Sequence, residues 1–229
     1  MKLLSKSPKT IKSDKSGMGY LTAIMYLAPH KLSGYNVCPH ASPGCIAGCL
    51  NLSGRGVYNK IQQSRINRTK FWFDSRDEFK AQLRRELNAF VRKCNKANVK
   101  AAIRLNGTSD IAWEKVYPEL FTMFPEVQFY DYTKNPGRMV RFILKDLPSN
   151  YHLTFSRSED NDSKADTILQ MGGNVAVVFS SKNIPQEYKG FPVHNADETD
   201  LRFLDKRGVQ GLYAKGKAKR DTSGFVVKV

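Results

Sequence analysis

A parallel α/β fold, built as a small or incomplete (β/α) barrel of TIM type, is the architecture this sequence predicts; an open doubly wound sheet is the second choice. Short runs rich in Val, Ile, Phe and Tyr recur along the chain, several too continuously apolar to face water on one side, as buried parallel strands are. Helix-type segments lie between them, the alternation that builds βαβ units. The length of 229 residues suits one domain with a real core.

The elements follow in order. Residues 1–19 read as a basic segment, expected to be partly mobile, and 20–229 as one domain. Strand-type runs are YLTAIMYLA (20–28), KAAIRLN (100–106), VQFYDYT (127–133), YHLTFS (151–156) and NVAVVFS (174–180), with shorter ones at 191–194 and 209–213. The segment Glu78 to Ala97 carries Phe79, Leu83, Leu87, Phe90, Val91 and Cys94 at helical spacing. Further helices are expected over Pro118–Phe124, Gly137–Leu147, Ser163–Met171 and Glu198–Arg207, punctuated by Pro or Gly at their ends.

Composition narrows the class. Hydrophobic residues make up 41% and charged residues 25%, values of an ordinary globular chain rather than a disordered one. No apolar run is long enough to span a bilayer, and the start has no apolar leader core, so a cytoplasmic protein with no membrane partner is expected. The formal net charge of +16 attracts polyanions through counterion release, although much of it lies at the two ends as solvated lysines.

Three of the four cysteines fall within twelve residues, Cys38-Pro-His-Ala-Ser-Pro-Gly-Cys45-Ile-Ala-Gly-Cys49, a C-x6-C-x3-C spacing directly after the first long strand. In a reducing compartment clustered cysteines point to metal or catalysis rather than disulfides. Two prolines with Gly44 and Gly48 let the backbone curl tightly, and three converging thiolates call for a metal to neutralise them. An iron–sulphur cluster, most simply 4Fe-4S, is the first reading. Zinc, with His40 as a further ligand, is the second, although structural zinc usually takes two close ligand pairs. Free thiols or a redox site are the third. Cys94 is read as a core residue at the opposite end of its βα unit, roughly 27 Å away at 1.5 Å rise per residue.

A three-cysteine loop after the first strand of a partial barrel resembles the radical S-adenosylmethionine enzymes. Their pattern, however, is C-x3-C-x2-C, and no Gly-Gly-Glu-type stretch follows the second strand here. The sequence also resembles a family of bacteriophage proteins, the gene product eighty-eight family, through CPHASPGCIAGCLNLSGRG (38–56), SRINRTKFWF (64–73) and RLNGTSDIAWE (104–114). That resemblance implies an iron–sulphur cluster and a phage-encoded protein of the host cytoplasm.

In parallel α/β folds the working residues stand where strands end, on the same edge as the cysteine loop. Those positions hold Arg104, Asn106, Ser109 and Asp110, then Tyr130, Tyr132 and Lys134, then Ser156 and Arg157, then Ser180 and Ser181, then Asn195 and Asp197, and last Lys215. The rim is mostly cationic and suits a small anionic or carbonyl-bearing substrate. In the favoured scheme an open iron acts as a Lewis acid for hydrolysis or hydration. Asp110 or Asp197 serves as base, Arg104, Lys134 or Arg157 stabilises developing negative charge, and Asn106 is a further candidate catalytic residue. The alternatives are radical S-adenosylmethionine chemistry and a nucleic-acid-binding protein with a structural cluster. The last rests on Arg55, Lys60, Arg65, Arg68 and Lys70 interleaved with Tyr58, Phe71, Trp72 and Phe73, a pattern equally suited to an amphipathic helix. No Gly-x-Ser-x-Gly elbow is present, which argues against an ordinary serine hydrolase.

Overall fold

A computed structural model describes residues 1–229. Ten strands form one mostly parallel sheet: β1 (Leu4–Ser5), β2 (Tyr20–Met25), β3 (Lys100–Arg104), β4 (Val127–Thr133), β5 (Tyr151–Ser156), β6 (Val175–Phe179), β7 (Glu187–Tyr188), β8 (Phe191–Asn195), β9 (Val209–Tyr213) and β10 (Val226–Val227). The helices are α1 (Pro8–Asp14), α2 (Pro43–Ala47), α3 (Asn59–Asp74), α4 (Arg76–Lys96), α5 (Trp113–Val116), α6 (Glu119–Met123), α7 (Pro136–Ile143) and α8 (Asp162–Gln170).

Strands β2 to β6 lie side by side in chain order, followed by β9, β8 and β7, as in a barrel wall that is not closed. The parallel α/β class is as expected; the sheet is open, and closure into a complete barrel is not seen. Its outer members, β1 and β7, are two residues long and pair antiparallel with β2 and β8, so neither offers a ladder that could join the two edges.

Alternation along the strands divides the core between two faces. Ile103, Phe129, Leu153, Phe155 and Val177 join Phe79, Leu83 and Leu87 of α4, Met139 of α7 and Ile168 of α8 in the main cluster. The opposite face presents Ala102 and Tyr130, packed under Leu201 and Phe203. The helix expected over Glu198–Arg207 is instead a single 3-10 turn, Arg202–Leu204. The cause is tertiary. Asp200 is pinned by Tyr130 Oη (3.0 Å) and Arg104 Nη1 (3.4 Å), its own N–H reaches Ser13 Oγ (2.7 Å), and Arg202 is drawn into the interior, so the segment lies across the face as a plug.

The first nineteen residues, expected to be mobile, carry β1 and α1 docked on the sheet. Leu3 and Leu4 are buried and donate their N–H groups to the Glu86 carboxylate, both at 2.8 Å. Ser7 and Thr10 form a capping box ahead of Pro8, and Thr22 donates to Asp14 (2.7 Å). The Glu86 contacts reach across more than eighty residues, invisible in a lysine- and serine-rich composition.

Burial, with Arg202 adding repulsion, lowers His152 on β5 to about 4. An unfolded histidine takes its proton near 6.5 while this one does not, so stability falls as pH drops from about 6.5 towards 4. His152→Phe removes that titration and keeps a ring against Phe142 (centroids 4.9 Å). Urea midpoints at pH 7 and pH 4.5 should show the variant losing less than the parent, by on the order of 2 kcal/mol. Parallel losses would sink the assignment.

Candidate metal centre

The loop after β2 is held by the loop after β3. Gly107 N–H donates to Met25 O (2.9 Å), Thr108 Oγ1 to Leu27 O (2.6 Å) and Asp110 N–H to Val37 O (2.8 Å), while Cys38 Sγ lies 3.6 Å from Thr108 O. A Cβ at Gly107 would stand 2.6 Å from Met25 O, which is why the close approach needs glycine. The RLNGTSDIAWE stretch thus clamps the chain that leads to the cysteines.

Local chemistry shapes the rest of the loop. Ser42 caps α2, its hydroxyl accepting the Cys45 N–H at 3.1 Å, with Pro43 opening the helix. Glu159 grips the same turn, accepting from Ser42 Oγ (2.8 Å) and Gly44 N–H (2.6 Å). The last stretch of the chain roofs it: Cys45 packs against Ala214, Ala218, Phe225 and Val226. That roof is anchored where β5 and β6 part. Their pairing stops at Ser156–Ala176, and β10 takes over alongside Val178 and Phe179 of β6. Arg157 Nη1 secures it by donating to Phe225 O (3.1 Å).

Cys38, Cys45 and Cys49 are all free and partly exposed, whereas Cys94 is buried in α4 within the main core. Burial is the main cause that pushes Cys38 up to about 12, with smaller contributions from Cys49 and Cys45. Burial raises Cys49 as well, against Arg65 and Lys134, which favour its thiolate. This is not the depressed pKa of a reactive nucleophilic cysteine. As the side chains stand, no three of the His, Cys, Asp and Glu groups are gathered to hold a single metal ion. His40 Nε2 sits 3.0 Å from Asn135 Nδ2.

The other expected site residues divide into three places. Lys134 belongs to the cysteine neighbourhood, donating to Ser156 Oγ (2.6 Å) with its ammonium 5.5 Å from the Phe225 ring. Arg157 is beside it, engaged with Asp162 (2.7 Å) and the roof. Asp110 adjoins Cys38, but its carboxylate accepts from Arg138 Nη1 (2.7 Å) and Lys134 N–H (2.8 Å). Asn106 is a buried hub: its Oδ1 accepts from Ser109, Ile111 N–H and Trp113 Nε1, and its Nδ2 donates to Asp131. Arg104 faces the plugged side of the sheet, over Tyr132 (4.6 Å) and near Asp200. Asp197 lies farther along the edge, bound by Lys215 Nζ and Tyr213 N–H (2.9 Å). Arg104 and Asp197 therefore do not join the cysteines through any direct contact.

Two contributors are not assigned to this loop by the sequence, Arg65 being read there only as part of a basic–aromatic stretch. Arg65 projects from α3 towards Cys49, buried, hydrogen-bonded to Asn51 and over the Tyr26 ring (4.7 Å). Its spacing with Thr69 and Trp72, the other buried residues of α3, was a usable signal. Glu159 had none, since its partners lie more than a hundred residues upstream. Glu159→Ala should cost about 1–3 kcal/mol by orphaning the Gly44 N–H and the Ser42 hydroxyl. It should also speed alkylation of Cys45, read by peptide mapping; an unchanged denaturation midpoint and labelling rate would refute this.

No helix is long and apolar enough to cross a membrane. A model of the Gene product 88 family matches residues 1–229, and the chain belongs to that family. Searches of curated proteins and of solved structures gave no match.

Proposed function

We propose that this Gene product 88 protein holds an iron–sulphur cluster through Cys38, Cys45 and Cys49, beside a site for a small anionic or carbonyl-bearing substrate, and that it is phage-encoded and works in the host cytoplasm. One observation carries the reading: a single capped, roofed loop at the C-terminal edge of a parallel sheet carries three free, partly exposed cysteines within twelve residues, with Cys94 elsewhere.

The donor set fits such a group. Iron–sulphur clusters are held by cysteine thiolates, and this loop carries three free cysteines. Arg65 and Lys134 supply positive charge opposite the thiolates.

A 4Fe-4S cluster held by Cys38, Cys45 and Cys49 would supply a Lewis-acidic iron suited to hydrolysis or hydration. The chain's own residues do the rest. Lys134, held by Ser156, places an ammonium where an anionic oxygen would be stabilised. Asp110 fixes the Lys134 backbone through its N–H and keeps the Cys38 loop in register. Phe225 and Val226 exclude water above Cys45.

Anaerobic purification with iron and sulphide analysis and electron paramagnetic resonance, with and without small carboxylates, tests this. Brown protein whose reduced spectrum shifts on adding carboxylate is expected; colourless, iron-free protein would overturn it.

A further inference from the structure

A second concave site lies away from the cysteines, where α1 meets the C-terminal ends of β8 and β9. It is a cavity of about 450 Å³ whose walls carry Lys9, Lys12, Lys182 and Lys215, with Asp197 and Tyr213. The volume is that of a small-ligand site. The charge balance is unusual. Asp200 pairs with Lys9 (3.5 Å) and is shared with Arg104, and Asp197 pairs with Lys215. Lys12 donates only to a backbone carbonyl, Asp197 O at 3.3 Å, and Lys182 has no carboxylate partner, its ammonium 5.9 Å from the Tyr213 ring. Two carboxylates thus answer four ammonium groups brought together from three separate segments of the chain.

Like charges at this density repel unless an anion bridges them, and lysine is a common point-charge partner for phosphate. The cavity also opens on the edge of a parallel sheet where ligands of such folds bind. The geometry points to a site for a chain of two or more phosphates, carried by a free nucleotide or by the 5′ end of a nucleic-acid strand. Lys12 and Lys182 take the phosphate oxygens. Lys9 and Lys215 are held in place by their carboxylates and complete the wall. This site does not depend on the cluster, and its failure would leave the cysteine reading untouched.

Isothermal titration calorimetry of the full chain tests it, using inorganic tripolyphosphate, a nucleoside triphosphate and a 5′-triphosphorylated single-stranded oligonucleotide at about 0.15 M salt, where long-range attraction is screened. Saturable binding of tripolyphosphate at one site per chain is expected. The double variant Lys12→Glu, Lys182→Glu, both exposed positions, should weaken it roughly tenfold or more, a tenfold loss being about 1.4 kcal/mol. The double variant Lys93→Glu, Lys96→Glu on α4 makes the same change in net charge elsewhere and should leave binding unaltered. Whichever of the nucleotide and the oligonucleotide binds more tightly identifies the source of the phosphates. Absence of saturable binding, or equal weakening by the two double variants, would overturn the proposal.

Discussion

Arg138→Leu is expected to destabilise the protein by about 3–5 kcal/mol, a large share of a domain's usual margin. Arg138 is almost fully buried, and its guanidinium serves four partners: Glu114 through Nε (3.0 Å) and Nη2 (2.9 Å), Asp110 (2.7 Å), Tyr151 Oη (2.9 Å) and Thr133 Oγ1 (3.3 Å). Burial alone would lower its pKa, but Tyr151, Asp110 and Glu114 outweigh that and hold the charge firmly. Leucine would leave the Glu114 carboxylate buried and uncompensated. Adding Glu114→Met should therefore recover part of the loss, because removing both ends of a buried pair costs less than removing one. Chemical denaturation of the two single variants and the double variant forms the test. Additive losses would show that the pair is not coupled.

The same network shows the structural contacts that two of the candidate site residues make. Asn106 and Asp110 follow a parallel strand, where reactive groups commonly stand; Asn106 has near partners at Ser109, Ile111 and Trp113, whereas the partners of the Asp110 carboxylate are remote in sequence. The remote partners are Asp131, Lys134 and Arg138, brought in by the next strand and helix. Burial pushes Asp131 up to about 7 while Asn106 and Tyr151 donate to it, a balance visible only once β4 and β5 lie side by side.

The long parallel strands were legible because burial on both faces forces continuous apolar runs, as in Val175–Phe179. Helix α4 was legible from its Phe79–Leu83–Leu87 stripe. The 198–207 segment was not. Its composition allows a helix, but Asp200 pairs with Lys9 of α1 and Arg104 of β3 while Arg202 is buried, and that tertiary demand overrides local propensity. The C-terminal roof was also hidden, since β10 is two residues long and finds its partner only because β5 diverges from β6.

Within the cysteine loop, each of Cys38→Ala, Cys45→Ala and Cys49→Ala should abolish retention of iron by protein purified without oxygen, while Cys94→Ala should retain it. Three thiolates are the minimum that fixes a four-iron cluster in one orientation, and the loss of one leaves two irons without a protein ligand. Cys94 lies in the core, so its replacement leaves a small cavity costing about 1 kcal/mol without touching the cysteine neighbourhood. Lys134→Met gives the graded case. It keeps the three sulphurs and the aliphatic contact with Phe225 but removes the cation that favours the Cys49 thiolate. Iron should still bind and be released faster to a chelator than from the parent. Iron content that is indifferent to the three loop cysteines, or equally dependent on Cys94, would show that the metal is held somewhere other than this loop.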